Sequence, residues 1–395
     1  MNSQNHSQHH PLPFFMGTLN GFSQSASVLS HDGVDDRDTL AIRTALEEVL
    51  DPDIGRTLGA LGAVHSIEVH DDTVHAYLLL HAPLHFVAER INYACKEAIS
   101  RVVPASSVEI FVQERLPERA SNRPLPQVKH IIAVASGKGG VGKSTIAANI
   151  ATALARKGAA VGLLDADIHG PSVPTMFGLE HAELHGRKNE HGQFIGYPLE
   201  KYGVKLVSMG FVMGRDQAAI MRGPMQAGYL STFIEQIEWG ELDYLLFDLP
   251  PGTGDIQLTM AQRVPLTGAV IVTTPQNLAL ADVRRGISMF NRVNIPTLGV
   301  IENMSYYILP DGSRDYIFGQ GGGERIAQEM SVPFLGEVPL NINIRRGSDE
   351  GMPAVLNDQA PLQQKALMEL TAKIAAEIRR RSATGQQSPT VEISL

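Results

Sequence analysis

Polar and apolar positions divide the chain into stretches of different period. Residues 1–36 are rich in Ser, Asn, Gln, His and Gly, show no apolar repeat, and predict a loose leader. From Asp38 the positions Leu40, Ile42, Ala45, Leu46 and Val49 recur at helical spacing. That helix is expected to stop at Asp51-Pro52-Asp53, because proline disfavours helix in the residue before it. Two apolar runs follow, Val64–Val69 and Val74–Leu80, and Asp71-Asp72 between them suggests a hairpin. A second helix is predicted over Leu84–Val102 and a strand over Ser107–Val112. Residues 37–116 therefore read as a small α/β accessory domain.

Pro117–Gln127 carries prolines, Ser and Asn without apolar periodicity, so residues 117–128 read as a linker. Beyond it short all-apolar runs alternate with helical segments. The runs are Ile131–Ala135, Ala160–Leu164, Tyr244–Phe247, Ala269–Thr273, Thr297–Ile301 and Phe334–Val338. A strand that is apolar at every position is one buried on both faces. The alternation therefore predicts an α/β fold over 129–381, a doubly wound and mainly parallel sheet under two helix layers. Residues 382–395 read as a polar tail, and no internal repeat is evident.

Composition narrows the function classes. The net charge is −9, which argues against broad charge-driven nucleic-acid binding. No apolar run is long enough for a membrane span, and the N-terminus lacks the basic start of a secretory signal, so the cytoplasm is the expected compartment. His6, His9 and His10 read either as a mobile polar tract or as a metal-binding one. The chain has one cysteine, Cys95, so neither an internal disulfide nor a multi-thiolate metal site can form within one chain.

The sharpest chemistry lies in Gly137-Lys138-Gly139-Gly140-Val141-Gly142-Lys143-Ser144-Thr145, which fits the phosphate-binding pattern G-x-x-x-x-G-K-[ST]. An apolar strand precedes it and a helical segment, Ser144–Lys157, follows. Glycines let successive backbone N–H groups curl round a phosphate, and the helix N-terminus adds partial positive charge. Lys143 is expected on the β- and γ-phosphates of ATP, and the Ser144 hydroxyl on Mg²⁺.

Two acidic segments follow apolar strands. In Leu164-Asp165-Ala166-Asp167 the carboxylates at the strand end point to the crevice where such sheets bind ligands. Asp165 is a candidate near Mg²⁺, and Asp167 a candidate for orienting the attacking water. Tyr244–Phe247 followed by Asp248 is a Walker B pattern, with Asp248 on Mg²⁺. Pro250-Pro251-Gly252-Thr253-Gly254 then supplies a stiff loop with glycine joints, suited to respond to loss of the γ-phosphate.

Lys138, directly after the first loop glycine, resembles the signature lysine of the deviant Walker A class that includes MinD, ParA and the nitrogenase iron protein. In that class the lysine crosses a dimer interface to the partner's nucleotide; a solvated loop lysine is the alternative reading. Taken with DADIHGPSVP (Asp165–Pro174), MRGPM (Met221–Met225), DLPPGTGD (Asp248–Asp255), TTPQ (Thr273–Gln276), ENMSY (Glu302–Tyr306) and FGQGGGERIA (Phe318–Ala327), the chain resembles the Mrp/ApbC family of iron–sulfur cluster carrier ATPases. Leu50-Asp51-Pro52-Asp53 and Leu61-Gly62-Ala63-Val64 resemble the small domain often fused ahead of it. The resemblance implies Mg²⁺-dependent ATP hydrolysis, a homodimer, and delivery of iron–sulfur clusters to apoprotein clients. It also places Asn303 near the adenine; an ordinary strand-end cap is the alternative.

One departure is as informative as the match. The family usually carries C-x-x-C after the ENMSY motif, where two pairs from two subunits hold a bridging cluster. Here the stretch is Tyr307-Ile308-Leu309-Pro310-Asp311-Gly312, with Leu309 and Gly312 at the cysteine positions. The cysteine-bearing turn of the front domain is replaced by His81-Ala82-Pro83-Leu84-His85. Cys95 lies four residues from both Ile91 and Ile99 and is expected to face a core. No iron–sulfur ligand is identified in the sequence. Two functions stand: an ATP-dependent cluster carrier that borrows ligands (Cys95 pairs, histidines such as His169, or a partner's cysteines), or an ATP-switched adaptor that has lost the cargo. A ParA-like DNA-partitioning role would want a basic surface and fits the charge less well.

Overall fold

The computed structural model describes residues 36–70, 72–104, 107–117, 123–167, 170–212, 223–252 and 254–385. The leader histidines, His169, Thr253, the start of MRGPM and the end of the tail lie outside the described residues.

The front unit is α1 (Asp36–Glu48), β1 (Val64–His70), β2 (Thr73–His81), α2 (Ala88–Ser100) and β3 (Ser107–Arg115). β1 and β2 form the expected antiparallel hairpin, and β3 joins β2 in parallel. Every second residue of β2 (Val74, Ala76, Leu78, Leu80) is buried, the period-two pattern of a sheet covered on one face. Its cover is the Ile42/Leu46 face of α1 and the Ile91/Cys95/Ile99 stripe of α2. Cys95 is fully buried there, and burial pushes its thiol up to about 12.

The main sheet is built from β4 (Val128–Ala135), β5 (Val161–Asp165), β8 (Leu199–Lys201), β9 (Val204–Ser208), β10 (Leu242–Asp248), β11 (Gly268–Thr273), β12 (Thr297–Asn303) and β15 (Phe334–Val338). Among the described residues it has eight strands in the order β15-β12-β11-β4-β10-β5-β9-β8, parallel except for β8 at one edge. Two short hairpins stand outside it: β6 (Gly186–Lys188) with β7 (Phe194–Gly196), and β13 (Tyr307–Ile308) with β14 (Arg314–Asp315).

Helices α3 (Lys143–Arg156), α4 (Val173–Met176), α5 (Gly223–Glu235), α6 (Asp255–Arg263), α7 (Asn277–Arg292), α8 (Gly322–Glu329), α9 (Ile342–Asp349) and α10 (Pro361–Ala383) complete the unit. Ile131 and Ala133 point into one core with Phe290 of α7, whereas Ile132 and Val134 point into the other with Ile146 of α3 and Ile374 of α10. Both faces of the sheet are therefore covered, which is why its strands read as unbroken apolar runs. α10 continues through Ser382 and Ala383, two residues into the stretch read as tail, because Ala383 packs against the front unit. No described helix is long and apolar enough to cross a membrane.

Candidate active site

The loops after β4, β5 and β10 open at the same, carboxyl end of the sheet. There residues 138–145 line a cleft of about 210 Å³ together with Ser136, Asp167, Ser172, Met176 and Pro251. The loop keeps its curl because Gly140 and Gly142 both adopt φ +78, a region costly for other residues. Gly142 also has no room for a side chain: a Cβ there would lie 2.3 Å from Asn303 Nδ2. That amide donates to Val141 O at 2.8 Å, so Asn303, at the end of β12, braces the loop from beneath.

Lys143 begins α3 and is almost wholly buried. Its Nζ donates to Asp248 Oδ1 at 2.5 Å and to Ser144 Oγ at 3.2 Å. Sheet register explains the company it keeps. Asp248 pairs directly with Asp165 across β10 and β5, so two fully buried carboxylates lie side by side with one ammonium between their strand ends and the loop. Burial, and then the negative charge of Asp248, push the Asp165 carboxyl up to about 7 against the pull of Lys143. Burial also raises Asp248, against the pull of Lys143. Asp165 is further fixed by the N–H groups of Asp167 (3.1 Å), Ser172 (3.1 Å) and Val173 (3.2 Å) and by Ser208 Oγ (3.1 Å).

Asp248 Oδ2 is buried and has no hydrogen-bond partner among the described residues. An orphaned carboxylate oxygen beside a serine hydroxyl and the phosphate loop suits a hard divalent cation, and Ser144 with Asp248 are the residues that would hold one. Asp167 lies at the cleft wall, where its Oδ1 accepts from Gly170 N–H at 3.3 Å.

Lys138 lines the cleft, and its Nζ donates to Gln276 Oε1 at 3.3 Å, an oxygen that Thr274 Oγ1 also contacts at 3.1 Å. Gln276 is the residue before α7, and α7 closes on the loop: a Cβ on Gly137 would lie 2.2 Å from Asp282 Cβ. Gln276, Ser208 and Asp282 were not read as site residues from sequence. Only Gln276 carried a signal, its place in the TTPQ segment.

A pH dependence follows from Asp165. Its folded-state pKa lies above the usual carboxylate value, so below that value the stability it contributes is fully present. Between roughly pH 4 and 7 the folded chain binds the proton that the unfolded chain has released, and stability is lost as pH rises. Asp165→Asn is expected to remove this contribution, so that from pH 5.5 to 7.5 the nucleotide-free variant gains melting temperature relative to the native chain. Thermal melts at the two pH values check it; equal slopes in both proteins would contradict it.

Comparison with known proteins adds the following. Residues 127–375 match the NUBPL iron-transfer P-loop NTPase family, and residues 40–112 match an iron–sulfur cluster assembly protein family. An "iron-sulfur cluster carrier protein" of Synechocystis is 46% identical over 348 residues, spanning 86% of this chain and 98% of its own. A protein of the same description from Escherichia coli K12 is 40% identical, over 83% of this chain and 89% of its own. A solved nucleotide-binding protein from Archaeoglobus fulgidus, in complex with ADP, is 38% identical with a TM-score of 0.51, covering 61% of this chain and 93% of its own.

Proposed function

Because this chain belongs to the NUBPL iron-transfer P-loop NTPase family, we propose that it is a Mg²⁺-dependent, homodimeric ATPase of the cytoplasm that serves iron–sulfur cluster delivery to apoproteins. The observation that carries the ATPase reading is the cleft floor, where Lys143 sits on one oxygen of Asp248 and the other has no partner among the described residues.

In this reading the loop N–H groups and the start of α3 cradle the phosphates of ATP. Lys143 neutralises the β- and γ-phosphates. Ser144 and Asp248 hold Mg²⁺, which supplies charge compensation on the phosphate oxygens, and Asp165 backs them. Asp167 orients the attacking water from the cleft wall. Asn303 keeps the loop in shape and borders the adenine. Lys138 leaves Gln276 to meet the nucleotide of the partner subunit.

The cargo is read from the relatives, and the ligands from this chain. Among the described residues no group of three or more His, Cys, Asp or Glu is placed to hold a metal ion. Cys95 is sealed in the front core with its thiol pushed up to about 12, so a Cys95 pair is a poor ligand set. The cluster is therefore held, in this proposal, on thiolates that the client or an assembly partner supplies, and the ATP cycle controls the encounter. An ATP-switched adaptor without cargo is the second reading, favoured by the same buried cysteine.

Lys138→Ala tests the cross-subunit step. Loss of a preorganised charge at the transferring phosphate is expected to cut kcat by roughly 100-fold or more. ATP affinity should stay within about threefold, since the side chain contacts Gln276 rather than the cleft floor. Steady-state hydrolysis beside nucleotide titration reads both, and an unimpaired kcat would remove Lys138 from the mechanism.

A further inference from the structure

Three arginines in a row, Arg379-Arg380-Arg381, stand near the end of α10. The structure splits them. Arg380 and Arg381 pair with Glu377 of their own helix at 3.1 and 2.8 Å. Arg379 is fully buried and leaves its unit altogether. Its Nη2 donates to Asp51 Oδ2 at 2.5 Å and its Nη1 to Asp51 Oδ1 at 3.1 Å, a two-pronged contact with one carboxylate. Nη1 also reaches Asp53 Oδ2 at 2.8 Å, and Nε donates to His81 O at 2.9 Å.

The turn that receives it is preformed. Asp51 Oδ1 accepts the N–H groups of Asp53 and Ile54, each at 3.0 Å, and Asp51 itself is fully buried. A buried carboxylate needs a paired cation, and among the described residues Arg379 and Asp51 supply each other. The surrounding contacts continue the same seam. Lys129 of β4 bridges Glu114 of β3 at 2.8 Å and Asp243 of β10 at 2.9 Å, and His85 Nε2 lies 3.4 Å from the same Asp243. Phe86 of the front unit packs on the main core, while Ala383 of α10 packs on the front core.

We propose that the Asp51-Pro52-Asp53 turn is a guanidinium-binding site whose occupant is Arg379 of the same chain. This contact, rather than the connecting segment, keeps the front unit seated on the amino-terminal end of the ATPase sheet. The two units then travel as one body. The seat is also built on the far ends of elements that carry the nucleotide site: β10 runs from Asp243 at the seam to Asp248 at the cleft, about 17 Å at ~3.3 Å per residue. The His81–His85 turn lies on the same seam: Leu84 is buried in the front unit's own core, while His81 O accepts from Arg379 and His85 Nε2 lies against Asp243.

The test uses the full chain. Arg379→Met removes the charge and the fork. It is expected to raise the radius of gyration in small-angle X-ray scattering and to speed protease cleavage between the units at least ~10-fold, because a buried carboxylate is left unpaired. ATP affinity should stay within about twofold, since Arg379 lies at the opposite end of the sheet from the cleft. Arg379→Lys keeps the charge but cannot present the two-pronged fork, and is expected to speed cleavage by a smaller factor of about three. Should the Met variant not accumulate as folded protein, adding Asp51→Asn removes the orphaned charge and recovers folding without recovering the seat, and the Lys variant is read alongside. A folded Met or Met/Asn variant with the native radius and cleavage rate would overturn the proposal, as would a Lys variant indistinguishable from the native chain in both.

Discussion

Replacing Lys143 with alanine is expected to lower ATP affinity by at least ~100-fold and to abolish hydrolysis. Hydrogen bonds to charged groups contribute roughly 1.5–3 kcal/mol each, and tenfold in affinity corresponds to about 1.4 kcal/mol. A lysine that meets two phosphates thus accounts for two decades or more. The structure adds a second consequence. Lys143 pairs with the buried Asp248 and pulls on the buried Asp165 beside it. Without it both should be held protonated to higher pH, and the fall in stability with rising pH should extend above the native Asp165 value of about 7. Isothermal titration with ATP at pH 7.5 and thermal melts from pH 5.5 to 8.5 measure the two effects separately. A variant that is folded at pH 7.5 and binds ATP with native affinity would refute the phosphate-loop assignment. A variant that loses binding only because it unfolds would show it in the melt.

How much of this was legible in the sequence depends on the range of the cause. The phosphate loop is a local device: its glycines, its lysine and the helix behind it sit within one short segment, so the pattern alone places the strand, the loop and a helix that begins at Lys143, one residue before the expected Ser144. The six apolar runs likewise correspond to β4, β5, β10, β11, β12 and β15, since burial on both faces writes itself directly into composition. β9 and β8 went unread. β8 is a short edge strand paired antiparallel, and β9 is followed at once by the turn at Met209–Phe211, so neither shows an isolated apolar run. The hairpins β6–β7 and β13–β14 are too short and too exposed to leave any period.

What depended on register or on distance along the chain was not legible. Asp165 and Asp248 each looked like a separate strand-end carboxylate; only the pairing of β5 with β10 makes them neighbours, with Lys143 on Asp248. Gln276 as the resting partner of Lys138 needed the approach of α7 to the loop. Arg379 and Asp51 are separated by most of the chain, and an arginine in a charged run at a helix end offers no local sign that it is buried. The departure at Leu309 and Gly312 was visible at once, because it is a change of residue type. Its physical meaning came from the fold, which shows a closed hairpin there and a sealed Cys95 elsewhere.

Installing cysteines in that hairpin is expected to convert a chain that retains almost no cluster into one that holds about one per dimer. Leu309 and Gly312 occupy the ends of a tight turn: Gly312 N–H donates to Leu309 O at 2.9 Å, and Leu309 N–H to Ser313 O at 2.9 Å. Turn ends of this kind lie within ~7 Å of one another, a span that two thiolates on one metal site can bridge. Leu309 is more than a third exposed, and a Cβ added at Gly312 meets nothing within 4 Å, so neither substitution displaces a packed neighbour. The cost is conformational: Gly312 has φ +84, and a cysteine there is strained by about 1 kcal/mol. Two such pairs in a dimer supply the four thiolates that a [4Fe–4S] centre takes. After anaerobic reconstitution with iron and sulfide and removal of free metal, the native chain should be nearly colourless. The Leu309→Cys/Gly312→Cys variant should carry iron and sulfide near four per dimer, with visible absorbance to match. Each single variant brings only half the thiolates and should retain little. A native chain that holds a stoichiometric cluster unaided would sink the view that its ligands come from a partner. A folded, dimeric double variant that stays colourless would show that the hairpins of two subunits do not face one another, and the dimer geometry behind the proposal would fall with it.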